Sequence, residues 1–348
     1  MNRARIHGIM AFGAVTALAL LAASCSSSPG NGATGNTSKG AVAPASLNLE
    51  LDWVPNPDHA GLYYAQNKGY FTKQKLTVHF QVPSNTADPI KLVGLNKVDL
   101  AISYEPEMFY GQHEGLPVVA VAAVIPVPLN GLIVSPKIPI TSVCQIKGHS
   151  VGWTGIPSDG AMYTTMLKTC HLTPKQVPRV SVGFNLVPSV LAGKVDAIVG
   201  GYRNVEDIQI SQELSKKAPD FPADQLGVPN YDELVLVANK NRLASDKAYA
   251  SAVKRFVAAF IAGTNAAMKS PSATTSIMDT ASSYKPSFLQ VSVPYTLKLI
   301  AQNKGMKTGC MSLPAWQSFG NWMKSNALIS NTPKASAVMT DKYLPYSC

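Results

Sequence analysis

Residues 52–59, Asp-Trp-Val-Pro-Asn-Pro-Asp-His, crowd a carboxylate, an indole, an amide and an imidazole into the turn between an apolar strand and a helix start. Comparable groups follow other apolar runs: Tyr104-Glu105-Pro106-Glu107 after 98–103, Trp153 at the end of 150–153, and Tyr202, Arg203 and Glu206 after 195–199. Trp53, Tyr104, Trp153 and Tyr202 offer flat faces to a planar ring, each contact worth about 0.5–1.5 kcal/mol beyond burial. Asp52, Glu105, Glu107 and Glu206 accept hydrogen bonds from amino or ring N–H groups, at about 1.5–3 kcal/mol each when charged. Glu105 and Glu107 have the alternative of favouring a helix N-terminus, and His59 is either a ligand contact or a cap for the helix behind it. A sulfonate, nitrate or phosphate would require Arg, Lys or bare backbone N–H groups. Arg203 is the single arginine of this set, so a planar, amino-bearing heteroaromatic ligand fits better.

Other chemistries lack their residues. Gly148-His149-Ser150-Val151-Gly152 matches the G-x-S-x-G nucleophile pattern, which needs a strand before it and a helix after it. Here the apolar strand begins inside the motif. The six histidines are scattered, without H-E-x-x-H or paired-cysteine spacing, so no metal site and no cofactor are expected. No Gly-rich phosphate loop is present, and ATP hydrolysis would belong to a partner subunit. The basic residues form no run of the kind that binds nucleic acid.

The elements that must position these residues follow from apolar periodicity. Residues 47–51 and 78–82 alternate apolar and polar, as strands do. A helix is predicted over 61–68, stopped by Gly69, another over 88–96, and buried strands over 98–103 and 118–124. This β-α-β-α-β rhythm predicts an α/β fold with a mostly parallel sheet flanked by helices. It then recurs. Trp53, Pro57 and Tyr63 have counterparts 100 places on in Trp153, Pro157 and Tyr163. Lys97-Val98-Asp99 returns 97 places on as Lys194-Val195-Asp196. Two similar lobes are predicted: 47–133 with 235–348, and 134–234. The chain would cross between them near 132–136 and 232–237, with the ligand held in the cleft outside the carboxyl ends of the strands. Helices over 249–269, 288–303 and 313–324 are expected to pack back on the first lobe.

The first residues read as an export signal. Arg3 and Arg5 precede an apolar run over 9–23 that ends in small residues, predicting a signal peptide over 1–24. The run is shorter than the ~20 residues of a spanning helix. Leu21-Ala22-Ala23-Ser24-Cys25 resembles a bacterial lipobox with Ala22 in place of its usual larger aliphatic residue, and Cys25 is the expected lipidation site. Residues 25–46, rich in Gly, Ser, Ala and Thr, would then be a flexible tether. An extracytoplasmic monomer, held at the membrane by its lipid alone, is expected. Cys144, Cys170, Cys310 and Cys348 suggest two disulfides outside the cytoplasm, with three pairings open. Cys144–Cys170 and Cys310–Cys348 are preferred, because each pair would lie within one structural region.

Together these residues carry a resemblance. Asp52-Trp53-x-Pro55-Asn56-x-x-His59-x-Gly61-Leu62-Tyr63, with Gly69-Tyr70-Phe71, resembles the opening motif of ABC-transporter substrate-binding proteins for the pyrimidine precursors of thiamine. Ala101 to Pro106, Gly193 to Glu206, Tyr231 to Leu236 and the Trp316…Trp322-Met323 segment are similar to the same family. The resemblance implies a two-lobed type II periplasmic-binding-protein fold and a hydroxymethyl- or formylamino-pyrimidine ligand delivered to a permease and its ATPase. It points to Trp53 for stacking and Glu206 for the pyrimidine amino edge, with Asp52 and Tyr202 in support. Related members bind riboflavin, so another planar heteroaromatic is the alternative cargo. The fungal pyrimidine-phosphate synthases share the Trp-x-Pro opening but supply an active-site His and a cysteine-rich run. Here Glu107 falls near the place of that His, and the run is absent, so a binding protein rather than an enzyme is expected.

Overall fold

In the computed structural model, residues 43–348 apart from 304, 332 and 333 are described. The expected signal peptide, Cys25 and nearly all of the tether lie outside them. Alternation over 45–50 buries Leu47 and Leu49 and forms β1 (Ala45–Glu50), so the strand takes in the last two residues assigned to the tether. β1 pairs in parallel with β2 (Leu76–Gln81) and β3 (Leu100–Ser103). β4 (Val118–Ile125) is apolar throughout and buried along its whole length, as a strand covered on both faces must be, although it stands at the edge of its sheet. The chain then passes through Pro126–Leu129 into β5 (Asn130–Val134), which belongs to a second sheet with β6 (Val151–Trp153), β7 (Arg179–Ser181), β8 (Ala197–Tyr202) and β9 (Asp220–Pro222). It returns in β10 (Leu234–Asn239), inserted antiparallel between β3 and β4.

The two sheets have the orders β2-β1-β3-β10-β4 and β7-β6-β8-β5-β9. In each, the strand that has crossed from the other lobe runs against its neighbours, so the sheets are mixed. The first crossing lies at 126–129, earlier than the 132–136 expected, because residues 130–134 already pair with β8 and β9. The long apolar stretch 118–134 conceals this change of sheet; prolines 126 and 128, which cannot donate to a ladder, mark it.

Helices 247–269, 271–281 and 286–300 pack with the first sheet in one apolar core. The helix Ala60–Asn67 lies close against Lys247–Lys269, since a Cβ on Gly61 would stand 2.2 Å from Thr264 Oγ1 and one on Gly263 would stand 2.4 Å from that of Ala65. The chain has disulfides Cys144–Cys170 and Cys310–Cys348, with Cα atoms 5.0 and 5.7 Å apart. Among the described residues no helix is long and apolar enough to cross a membrane.

Candidate functional site

The carboxyl ends of β1, β3, β6 and β8 face a shared cavity, with about 350 Å³ of empty space, lined from both lobes. On the first-lobe side the chain leaves β1 and reaches Asp52, Trp53 and Asn56. Asn56 caps the short helix Pro57–His59: its side chain accepts from Asp58 N at 2.8 Å, and its own N–H donates to His59 Nδ1 at 3.3 Å. With Nδ1 accepting, a neutral ring carries its proton on Nε2, which donates to Asp52 Oδ1 at 2.8 Å. Tyr104 Oη donates to the other oxygen, Oδ2, at 3.2 Å. Asp52 is therefore gripped on both oxygens before any ligand arrives. Proline at 57 supplies the fixed φ that starts the turn.

His59 is fully buried and stands behind Asp52 rather than on the cavity wall. Its side chain closes the capping box of the short turn by accepting from Asn56 N and braces Asp52, while the helix Ala60–Asn67 that follows takes no side-chain cap from it.

The second-lobe wall contains Thr154, Ile156, Asp159, Tyr202, Val205 and Glu206. Asp159 Oδ1 accepts from Asn130 Nδ2 at 2.9 Å and its Oδ2 accepts from the Thr154 hydroxyl. Gly200 passes so close that a Cβ there would lie 2.3 Å from Asp159 Oδ2, and its φ of +83° is one that glycine adopts without strain. Glu206 opens the helix Glu206–Glu213, accepts from Tyr202 N at 2.8 Å through Oε2, and is held among the described residues by backbone N–H groups.

Two further sequence candidates lie elsewhere. Trp153 is not on the cavity wall: the Arg179 guanidinium sits 4.4 Å from its ring centroid, and the ring packs against the core shared by both sheets. Strand register explains this. Leu49 pairs with Leu100 as Val151 pairs with Ala197, so the residue matching Trp153 is Leu51, and Asp52 matches Thr154. Glu105 is likewise buried away from the wall, where Oε2 accepts from Asp232 N at 2.8 Å. Its position at the first turn of Glu105–His113 favours that helix. Arg203 leaves the cavity to hydrogen-bond Pro128 O in the first crossing. The wall residues that sequence reasoning did not name are Ile156 and Asp159, and it passed over Thr154, Gly200 and Val205 within the segments that follow the strands. Of these Asp159 alone carried a signal, an acid just beyond the end of β6.

Carboxylates dominate the surroundings. Burial pushes Glu206 up to about 7 and Asp159 up to about 6, against the hydrogen bonds each accepts. Glu107 of the first lobe, pushed up to about 7 by burial, accepts from Ser158 N of the second at 3.0 Å. Asp58, also raised to about 7 by burial, accepts from Asn204 Nδ2 at 2.7 Å. Glu233 Oε2 gathers Leu129 N at 2.6 Å, Asn130 N at 2.9 Å and Tyr231 Oη at 2.8 Å, joining the two crossings; burial raises it to about 7. No lysine or arginine lines the cavity among the described residues. Among those residues, no group of three or more His, Cys, Asp or Glu is arranged to hold a metal ion.

Two mixed sheets joined by crossing strands, with the site between them, define a periplasmic-binding-protein fold. The alkanesulfonate-binding protein of Xanthomonas axonopodis pv. citri superimposes with a TM-score of 0.65 at 14% identity, over 85% of this chain and 98% of that one. Residues 56–274, more than half of the sequence, match the NMT1/THI5-like family, and the chain belongs to it. A Haemophilus influenzae protein named for thiamine biosynthesis is 42% identical over 205 residues, 59% of this chain and 65% of that protein. The formylaminopyrimidine-binding protein of Halalkalibacterium halodurans is 37% identical over 205 residues, again 59% of this chain and 62% of its own length. A Saccharomyces cerevisiae 4-amino-5-hydroxymethyl-2-methylpyrimidine phosphate synthase is more distant, at 28% over 185 residues and 53% of each chain. The matches thus span less than two thirds of these relatives.

Proposed function

We propose that the protein is an extracytoplasmic substrate-binding lipoprotein that captures a pyrimidine-type thiamine precursor between its lobes and hands it to an ABC importer. The observation that carries this reading is the cavity itself: an indole and two phenols beside three carboxylates, with no basic side chain on the wall. Such a wall favours a flat ring bearing N–H donors and disfavours anions. The formylaminopyrimidine-binding relative supports the ligand class.

In this reading Trp53 and Tyr202 stack on the ring, Glu206 meets its amino edge, and Asp52 holds Tyr104 in place. Contacts from both lobes stabilise the closed form, so binding and closure are one equilibrium. Binding rather than catalysis accounts for the wall: Glu107 is occupied in joining the lobes, and His59 in holding Asp52. A signal peptide over 1–24 and acylation at Cys25 would hold the protein outside the cell as a monomer on a tether.

Calorimetric titration with hydroxymethylpyrimidine, its formylamino relative, riboflavin, taurine and nitrate tests the reading. Binding of a pyrimidine, accompanied by a rise in melting temperature, is expected. Binding of riboflavin alone would keep the aromatic jaws and change the cargo, and binding of taurine or nitrate alone would overturn the assignment of the carboxylates.

A further inference from the structure

Next to the cleft cavity runs a second, larger groove, with about 1,000 Å³ of space that includes open solvent. Trp53 and Glu206 line both spaces, so the two adjoin across the indole and the carboxylate. The groove's walls also come from both lobes. Phe184 and Val187 stand on the second-lobe side, with Phe184 packed on Trp53 at 4.5 Å between ring centroids. Tyr284 and Phe288, stacked at 4.8 Å, stand on the first-lobe side. Gln209 forms part of the remaining edge. The groove's lysine, Lys285, is ion-paired with Glu213, which leaves Glu206 as the acid of the lining without a basic partner there.

Aromatic faces with one acid lacking a basic partner suit a flat cation, since a cation over an aromatic face gains from the ring quadrupole and from the nearby acid. Because the groove continues the inner cavity and both lobes build it, an occupant covalently joined to the inner ring would gain affinity without a separate association cost. We propose that the groove is a second ring site of the same cleft, taking a cationic heteroaromatic ring joined by a short linker to the ring in the inner cavity. The linker passes beside the Trp53 indole. The proposal rests on the inner cavity being a ring site. It extends the range of cargo from single rings to two-ring molecules that carry the same first ring.

Titration calorimetry with two probes separates the two claims: hydroxymethylpyrimidine for the inner cavity, and thiamine, a pyrimidine linked to a thiazolium cation, for both spaces. The wild-type chain is expected to bind both. Gln209→Trp, which fills the groove, should weaken thiamine tenfold or more while leaving hydroxymethylpyrimidine within twofold, a result that also shows the variant to be folded. Tyr284→Ala, which removes one aromatic wall, should weaken thiamine several-fold with the same selectivity. A wild-type chain that binds hydroxymethylpyrimidine and not thiamine overturns the second site alone. So does a Gln209→Trp chain that binds thiamine as tightly as the wild type, or that loses both probes equally while Tyr284→Ala changes neither. Failure of the wild type to bind either probe overturns the inner-cavity reading and this proposal with it.

Discussion

In the first sheet the strand that enters the cleft is followed by Asp52, and at the matching place in the second sheet stands Thr154. The scaffold beneath them is the same. Asp99 N donates to Asn48 O at 3.0 Å while Asp99 Oδ2 accepts from Asn48 N at 2.8 Å. Asp196 repeats both bonds on Ser150, at 2.9 and 2.9 Å. The helix ends before them also agree, with Asn96 and Gly193 both at positive φ, and Lys97 and Lys194 donating to Leu92 O and Ser189 O. What differs is how each jaw is finished. The first-lobe carboxylate is fixed by His59 and Tyr104 side chains, whereas Glu206 on the second jaw accepts from backbone N–H groups. One jaw is a preset wall, and the other offers the acid best able to respond to what enters.

The sharpest way to break that contrast is to neutralise each acid in turn. Glu206→Gln should cost roughly ten- to hundredfold in affinity for an aminopyrimidine, the scale of a charged hydrogen bond, with little change in melting temperature. Asp52→Asn should act mainly on stability, because it disturbs the His59 and Tyr104 bonds. Calorimetry and thermal melts on both variants decide it, and equal affinity losses with equal melting temperatures would erase the distinction. A second comparison sets the two tryptophans apart. Trp53→Leu should weaken binding about tenfold, the upper end of one aromatic contact, while Trp153→Leu should lower the melting temperature and leave affinity within twofold.

The smallest effect concerns pH. Burial raises Asp58 from 3.8 and Glu107, Glu206 and Glu233 from 4.5, each to about 7. Between the ordinary and the raised values the folded chain holds protons that the unfolded chain has released. Stability contributed by these groups is therefore full below pH ~4 and is lost as pH rises toward 7. The melting temperature should fall by a few degrees between pH 5 and pH 7.5 and then level off. Glu233→Gln should flatten the slope; a melting temperature that rises over that interval would contradict the raised values.

The parts of the molecule legible in the sequence are those governed by neighbouring residues. Strand alternation, the β-α-β rhythm and the Lys-Val-Asp repeat all express local rules of pleat, cap and turn, and the structure carries them into matching hydrogen bonds. The pairing of Trp53 with Trp153 misled for a definable reason. Asn48 and Asp99 are 51 residues apart, whereas Ser150 and Asp196 are 46 apart, so no single offset aligns both ends of the repeat. Asp159 was hidden by its position in the first turn of Pro157–Lys168, where an acid has an ordinary use. Ile156 and Val205 are apolar and carry no group that marks a site in the sequence, yet the folded chain turns them toward the cavity.

Each disulfide also lies wholly within one lobe. Cys144–Cys170 ties the start of the second lobe to the end of its helix Pro157–Lys168, and Cys310–Cys348 pins the last residue beside the first lobe's core. Neither bridge spans the cleft, so neither cross-link joins one lobe to the other. Reduction should therefore loosen each lobe separately, a loss that thermal melts with and without reductant would show as a lower melting temperature.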